Sequence, residues 1–453
     1  MSPAAAFPPD FVWGVASSSH QVEGAMEVDG GGRSIWDTFA SVPGAIRGGD
    51  TGAGGVDHRR RWEEDVDLMA SLGVGAYRFS IAWPRVQPGG RGALNERGVD
   101  FYRSLVDRLL DRGITPVATL YHWDLPDELE SDGGWPTRDV ALRFAEYAAL
   151  VGEALGDRVA HWRTINEPWC SAMLGYAAGI HAPGRRSPAA AVAAAHHLLL
   201  GHGLAVAALR GVVRAPGAEI GLTVNPYPVV AAGSTPADLD VARRVDGIAN
   251  RVWLDPVLRG AYPADVVEDW AGLGFADVVH DGDLDVISAP IDALGLNYYR
   301  RHHVRHAPEE RGGRDWAQWP GTAHVDLVEP DGPHTDGGWA IEPEGLFETL
   351  EMVAAYGDTP LYVEECGAAF DEPFDDVQRI DFLRSHITQA HRAREAGVDL
   401  RGWFVWTWFD NFEWAEGYAH RFGLVHVDYA TYARTPKASA RWYAEVMRTG
   451  EVG

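Results

Sequence analysis

Cysteine is almost missing, with two residues, Cys170 and Cys366, in 453. They form no C-x-x-C pair, and so sparse a supply excludes a disulfide framework and a structural zinc site. Basic charge is short as well: 39 Lys and Arg stand against 65 Asp and Glu, for a formal net charge of -26. Such a chain repels phosphate backbones and anionic headgroups, so neither nucleic acid nor a membrane is an expected partner. The N-terminus "MSPAAAFPPDFVWG" has no basic segment followed by an apolar core, and no stretch approaches the roughly 18 apolar residues of a membrane helix. Neither a secretory signal nor a membrane span is expected, and a reducing cytoplasm is the expected compartment. Interdomain linkers and short repeats are absent too, and the Ala-rich "SPAAAVAAAHHLLLGHGLAVAALRG" reads as a helix.

What is present is an ordinary globular composition, 46% hydrophobic and 23% charged, with eighteen tryptophans whose faces suit the C–H surfaces of sugars. Eight short apolar runs recur between helix-like stretches: "FVWGVASS", "AYRFSI", "TPVATLYH", "HWRTINEP", "EIGLTVN", "ALGLNYY", "PLYVEEC" and "LRGWFVWT". Runs apolar on both faces are what parallel strands buried between a core and a helical layer require. The segment "WEEDVDLMASLG" sets Trp62, Val66 and Met69 on one helical face before Gly73. In "FYRSLVDRLLDRG", Tyr102, Leu105, Val106 and Leu109 do the same before Gly113. Strand and helix alternate without a break in composition. The expected fold class is therefore α/β, a single (β/α)8 TIM barrel spanning residues 1–453 as one catalytic domain. Arg300 to about Pro343 reads as an elaborated loop over the C-terminal face of the strands.

Polar and aromatic residues gather at the strand ends, where this fold builds its active sites. Gln21 lies just past the first strand, Arg78 within the second, and His122 and Trp123 on the third. Asn166 and Glu167 end the fourth, Asn225 the fifth, Asn297 and Tyr299 the sixth, Glu365 the seventh and Trp406 the eighth. Strands four and seven of a closed barrel face one another across its mouth, so the glutamates of "TINEP" and "LYVEECG" would oppose each other. Paired carboxylates in such a site equip it for glycoside hydrolysis, one as a proton donor and the other as nucleophile or base. In "LYVEECG" two glutamates are adjacent. Strand alternation admits at most one to the pocket, and the apolar run before them does not say which.

The chain resembles glycoside hydrolase family 1, the β-glucosidase group, over nearly its whole length. "FVWGVASSSHQVEGA" is similar to the family's N-terminal signature; "YRFSIAWPR", "YHWDLP", "GGWPTRD", "TINEPWC", "GYAAGIHAPG", "LNYY", "GWAIEPEGL" and "DNFEWAEGYAHRFGLVHVDY" follow in the family's order. The resemblance implies a retaining mechanism with Glu167 as acid/base and Glu365 as nucleophile. The family's nucleophile sits in a T-E-N-G pattern, so this chain departs from it with Glu364 at the threonine and Cys366 at the asparagine. Glu364 is expected to turn away and pair with an arginine or solvent. The resemblance further implies that Gln21, His122, Trp123, Asn166, Tyr299, Glu413 and Trp414 bind the sugar, with Trp406 as stacking floor. Asn166 would reach the 2-hydroxyl. Arg78, Asn297 and Tyr299 would support the nucleophile, and Trp169, Leu174 and Trp339 would line the aglycone side.

No cofactor and no metal are expected, since His302, His303 and His306 have no carboxylate or cysteine at matching spacing. The expected partner is a small β-glucoside, with side activity on β-galactosides or β-fucosides, and a homo-oligomer is compatible with the sequence. Within the family, Glu413 would repel the phosphate of a 6-phospho-β-glycoside, and a thioglucosidase of the myrosinase type would lack Glu167. A dead sugar-binding barrel would not retain both glutamates, whereas a transglycosylase would use the same intermediate.

Overall fold

The computed structural model describes residues 5–309 and 317–453. Eight parallel strands close into a barrel in sequence order: β1 (Val12–Ala16), β2 (Ala76–Ser80), β3 (Thr115–Tyr121), β4 (His161–Asn166), β5 (Glu219–Val224), β6 (Ala293–Asn297), β7 (Leu361–Cys366) and β8 (Leu400–Trp406). Every apolar run read as a strand is one of these. All their residues but Val12, Thr115, His161, Glu219 and Arg401 are buried, as parallel strands between two layers must be. The helix His58–Ser71 buries Val66 and Met69, and Glu96–Asp111 buries Tyr102, Leu105, Val106 and Leu109. Gly73 and Gly113 follow them with φ of 72°, the left-handed conformation that ends a helix at least cost in glycine.

Two expectations change. The helix Pro188–Val212 is, contrary to the sequence reading, long and apolar enough to cross a membrane, because scattered His and Gly do not offset its Ala and Leu content. Its apolar window is 83% buried inside the fold, and it packs along the helix Arg138–Leu155. The segment after β6 is also more regular than a loop. His302–His306 pairs antiparallel with Val325–Leu327 and parallel with Val229–Ala231, making a small sheet. Residues 310–316 of that segment lie outside the described residues.

Register is regular around much of the barrel, but β7 slips against both neighbours: against β6 between Val363 and Glu365, and against β8 between Val363 and Cys366. Strict alternation would send Glu364 and Glu365 to opposite faces. With the slip, both carboxylates reach Arg78 on β2, which is not a neighbour of β7.

Backbones approach closely between β5 and β6, where a Cβ on Gly221 of β5 would lie 2.1 Å from the Ala293 carbonyl oxygen on β6. Gly221→Ala is therefore expected to lower unfolding free energy by about 1–3 kcal/mol. Denaturant melts of the two proteins check this.

Candidate active site

A cavity of about 930 Å³ opens at the C-terminal ends of the strands. Its inner wall carries His122, Trp123, Glu167, Tyr299, Glu365, Trp406, Glu413 and Trp414, and its outer wall Trp169, Leu174 and Trp339. Eleven of the sequence-derived site residues thus face one space. The other four, Gln21, Arg78, Asn166 and Asn297, do not line it; all are fully buried, and their side chains are engaged behind the wall.

Glu365 is the better solvated by protein dipoles. Arg78 Nη1 donates to its Oε1 at 2.6 Å, and the Tyr299 hydroxyl donates to its Oε2 at 2.7 Å. Burial raises its pKa above the ordinary carboxylate range, and the Arg78 cation is the chief force pulling it back. Glu167 has no cation of its own. Its Oε1 accepts from Asn297 Nδ2 at 2.6 Å and its Oε2 from the Cys170 thiol at 3.0 Å. Burial, followed by the charge of Glu365, pushes it up to about 8. Of the two carboxyls, the one held by a cation and a phenol is the better placed to carry charge, and the one held by neutral donors the better placed to hold a proton. That is the pairing an acid and a nucleophile need at neutral pH.

Asn166 connects the two. Its Oδ1 accepts from Arg78 Nη2 at 2.6 Å and from Asn297 Nδ2 at 3.1 Å, while its Nδ2 donates to His122 Nε2 at 3.1 Å. Burial, then the Arg78 charge, depresses His122 well below its ordinary range. The ring is therefore neutral, with its proton on Nδ1. The His122 ring stacks against the indoles of Trp406 (5.8 Å, 19°) and Trp414 (5.9 Å, 18°).

On the sugar side, Glu413 is pushed up to about 8 by burial and then by Glu365 and Glu167. Gln21 stands behind it and does not line the cavity. Its Nε2 donates to Phe412 O at 2.8 Å, Asn411 Oδ1 at 3.0 Å and Glu413 Oε2 at 3.4 Å, and its Oε1 accepts from the Ser18 hydroxyl at 2.7 Å. Trp123 lines the cavity, but its indole N–H is committed to the Asn166 carbonyl at 2.9 Å, which leaves the ring face as its means of contact. Trp123, Glu167 and Trp414 have φ of 77°, 46° and 48°. A left-handed backbone at non-glycine residues costs on the order of 1–3 kcal/mol each and persists only where surrounding structure enforces it.

The outer wall is aromatic. Trp169 packs on Trp319 and Tyr227, and Trp339 lies between Tyr299 and the Arg300 guanidinium. Trp408 and Phe409 are buried packing residues. Asn225 does not face the cavity: its Nδ2 donates to the Tyr227 hydroxyl at 3.0 Å and to the Cys170 sulfur at 3.5 Å. His302 packs on Tyr227, and His303 bonds Glu342 at 3.0 Å. Among the described residues no group of three His, Cys, Asp or Glu is arranged to hold a metal.

Sequence reasoning missed Cys170 and Arg163. Cys170 follows Glu167 by three positions in the wide helical turn Cys170–Ala178, a spacing at which helical neighbours meet. Arg163 meets Glu364, 201 positions away, and no local signal marks that contact.

A (β/α)8 barrel whose mouth opposes a cation-held carboxylate to a proton-holding one defines an O-glycosyl hydrolase. The chain belongs to glycosyl hydrolase family 1, whose sequence model matches residues 4–452. It is 43% identical to "Beta-glucosidase A" of Thermotoga maritima over 98% of both chains. It is 45% identical to the "Bifunctional beta-D-glucosidase/beta-D-fucosidase" of Bifidobacterium breve, over 96% of this chain and 97% of the relative. The solved family 1 β-glucosidase of Thermotoga maritima superposes with a TM-score of 0.93 at 42% identity, covering all of both chains.

The thiol of Cys170 stabilises the charged form of Glu167, so its loss should favour the acid. Cys170→Ala is expected to move the titration of Glu167 to higher pH, followed by its carboxyl carbon in NMR. An unchanged or lower midpoint would show that the thiol does not bear on Glu167.

Proposed function

We propose that this chain is a retaining β-glucosidase, with Glu365 as nucleophile and Glu167 as acid/base. The observation that carries this reading is the unlike support of the two carboxylates: Arg78 and Tyr299 on Glu365, Asn297 and Cys170 on Glu167. In the first step a Glu365 carboxylate oxygen attacks the anomeric carbon while Glu167 gives its proton to the departing glycosidic oxygen. In the second, Glu167, now a carboxylate, takes a proton from water, and that water displaces Glu365 with a second inversion.

The remaining wall residues take roles by their chemistry. Trp406 offers an apolar floor to the sugar face, and His122 Nδ1–H, the Glu413 carboxyl and the Trp414 indole offer polar contacts to its hydroxyls. Asn166 and Gln21 act mainly by holding His122, Arg78 and Glu413 in place. Trp169, Leu174 and Trp339 form an apolar outer compartment suited to an aglycone or a second sugar.

The substrates we infer are terminal β-D-glucosyl residues of small glucosides and β-linked disaccharides, such as those released from cellulose. The Bifidobacterium breve relative's name supports side activity on β-fucosides. We further infer that residues 1–453 act as one catalytic unit, and that it works in the cytoplasm. The two cysteines, both free and buried, support that location.

Two variants separate the roles on a panel of aryl β-glucosides. Glu365→Ala is expected to lose nearly all hydrolysis and to regain turnover with azide as an α-configured product. Glu167→Gln is expected to lose on the order of 10²–10⁴-fold on poor leaving groups and far less on activated nitrophenols. Full activity in Glu365→Ala, or equal losses across leaving groups in Glu167→Gln, would overturn the assignment.

A further inference from the structure

Beneath the cavity lies a charged cluster that the reaction scheme above does not use. Arg78, Arg163 and Glu364 are almost wholly inaccessible to solvent, at 0%, 1% and 0% exposure. They come from β2, β4 and β7, none adjacent to another in the sheet, so their contacts cross the barrel interior. Glu364 Oε1 accepts from Arg163 Nε, and its Oε2 accepts from the Thr223 hydroxyl at 2.6 Å. The same Oε2 stands 3.1 Å from Arg78 Nε in an ion pair.

The pocket for Glu364 is built by its neighbours. On β6, a Cβ at Gly295 would lie 2.4 Å from Glu364 Oε2 and 2.8 Å from Thr223 Oγ1, so the carboxylate occupies space that only glycine leaves. The Arg163 guanidinium lies over the Tyr362 ring at 5.3 Å and also bonds the Trp162 carbonyl at 3.1 Å, which fixes it without engaging the cavity.

Arg78 is thus shared. A guanidinium presents its N–H groups in a rigid fork. Here one arm goes to Glu365 at 2.6 Å, another to Asn166 at 2.6 Å, and the Nε side faces Glu364. Two cations serve two carboxylates, and of the four only Glu365 reaches the cavity wall. We propose that Glu364 is a positioning residue, one that aims Arg78 at Glu365 and draws part of that cation's charge away, leaving Glu365 more basic and a stronger nucleophile. This rests on the reading of Glu365 as the nucleophile.

The groups facing Glu365 from each packed element decide the sign. Arg78 from β2 favours its charged form, and the neutral Tyr299 phenol after β6 does so by its hydrogen bond. Glu364 on β7 opposes that form. Glu167 after β4 and Glu413 after β8 are each pushed up to about 8 by burial and then by the charge of Glu365, and His122 from β3 is neutral. Removing the charge of Glu364 leaves two arginines to one carboxylate, so Glu365 should ionise at lower pH. Removing Arg163 leaves two carboxylates to Arg78, so it should ionise at higher pH.

The test is the acid limb of kcat/KM against pH on an aryl β-glucoside, for Glu364→Gln, Arg163→Gln and the double variant. Glu364→Gln is expected to move the limb down by about one pH unit, the lower end of what a neighbouring charge does. Arg163→Gln is expected to move it up, and the double variant to return it close to the parent. If Glu364→Gln does not fold, the direction of the Arg163→Gln shift and the position of the double variant decide. A limb that stays in place in the folded variants, whatever happens to kcat, would reduce the cluster to a structural role and overturn the proposal. Failure of the nucleophile assignment reads out separately, as retained hydrolysis in Glu365→Gln.

Discussion

The structure turns on one buried cation. Arg78 is fully buried, and it contacts the carboxylate at the mouth, the carboxylate beneath it and the amide that links to Glu167. A guanidinium in such a place is tolerable only because its partners surround it; removing one partner from a buried ion pair typically costs about 3–5 kcal/mol. Its position therefore disciplines side chains of β4, β5 and β7 at once. Glu365 is drawn to the wall, Glu364 is held in the interior and Asn166 is oriented so that its other donor meets His122.

Asymmetry between the two cavity glutamates follows from this arrangement. Both are desolvated, so both would prefer to be neutral. Only Glu365 has a cation in contact, and its charge raises the pKa of Glu167. Charge is thereby favoured on Glu365 and a proton on Glu167, with Asn166 and Asn297 between them. The aromatic wall adds to the effect: Trp123, Trp406 and Trp414 are nearly inaccessible, and the indoles stacked around His122 help keep that ring uncharged.

Most of the architecture was legible beforehand, because a parallel strand in a closed barrel is buried on both faces and so reads as an unbroken apolar run. The eight runs and the glycine stops at Gly73 and Gly113 carried that message. The misreadings have physical causes. The helix Pro188–Val212 was underestimated because a few polar residues interrupt a stretch whose average is still strongly apolar. The segment after β6 reads as a loop because its short strands, with "HHVRH" in the middle of the small sheet, carry no apolar alternation to announce pairing.

By itself the sequence determined the fold class, the two strands that bear the opposed carboxylates and the residues that end each strand, since these depend on local pattern and chain order. Local pattern alone left open how the adjacent glutamates divide their labour, because alternation along a strand assumes an unbroken register, and only the family resemblance pointed to Glu365. The contacts each glutamate makes are a matter of the closed barrel. The slip in β7, the room left by Gly295 and the arrival of Arg78 and Arg163 from non-neighbouring strands bring Glu364 and Glu365 onto one cation. Contacts between residues 201 and 287 positions apart leave no trace in local sequence.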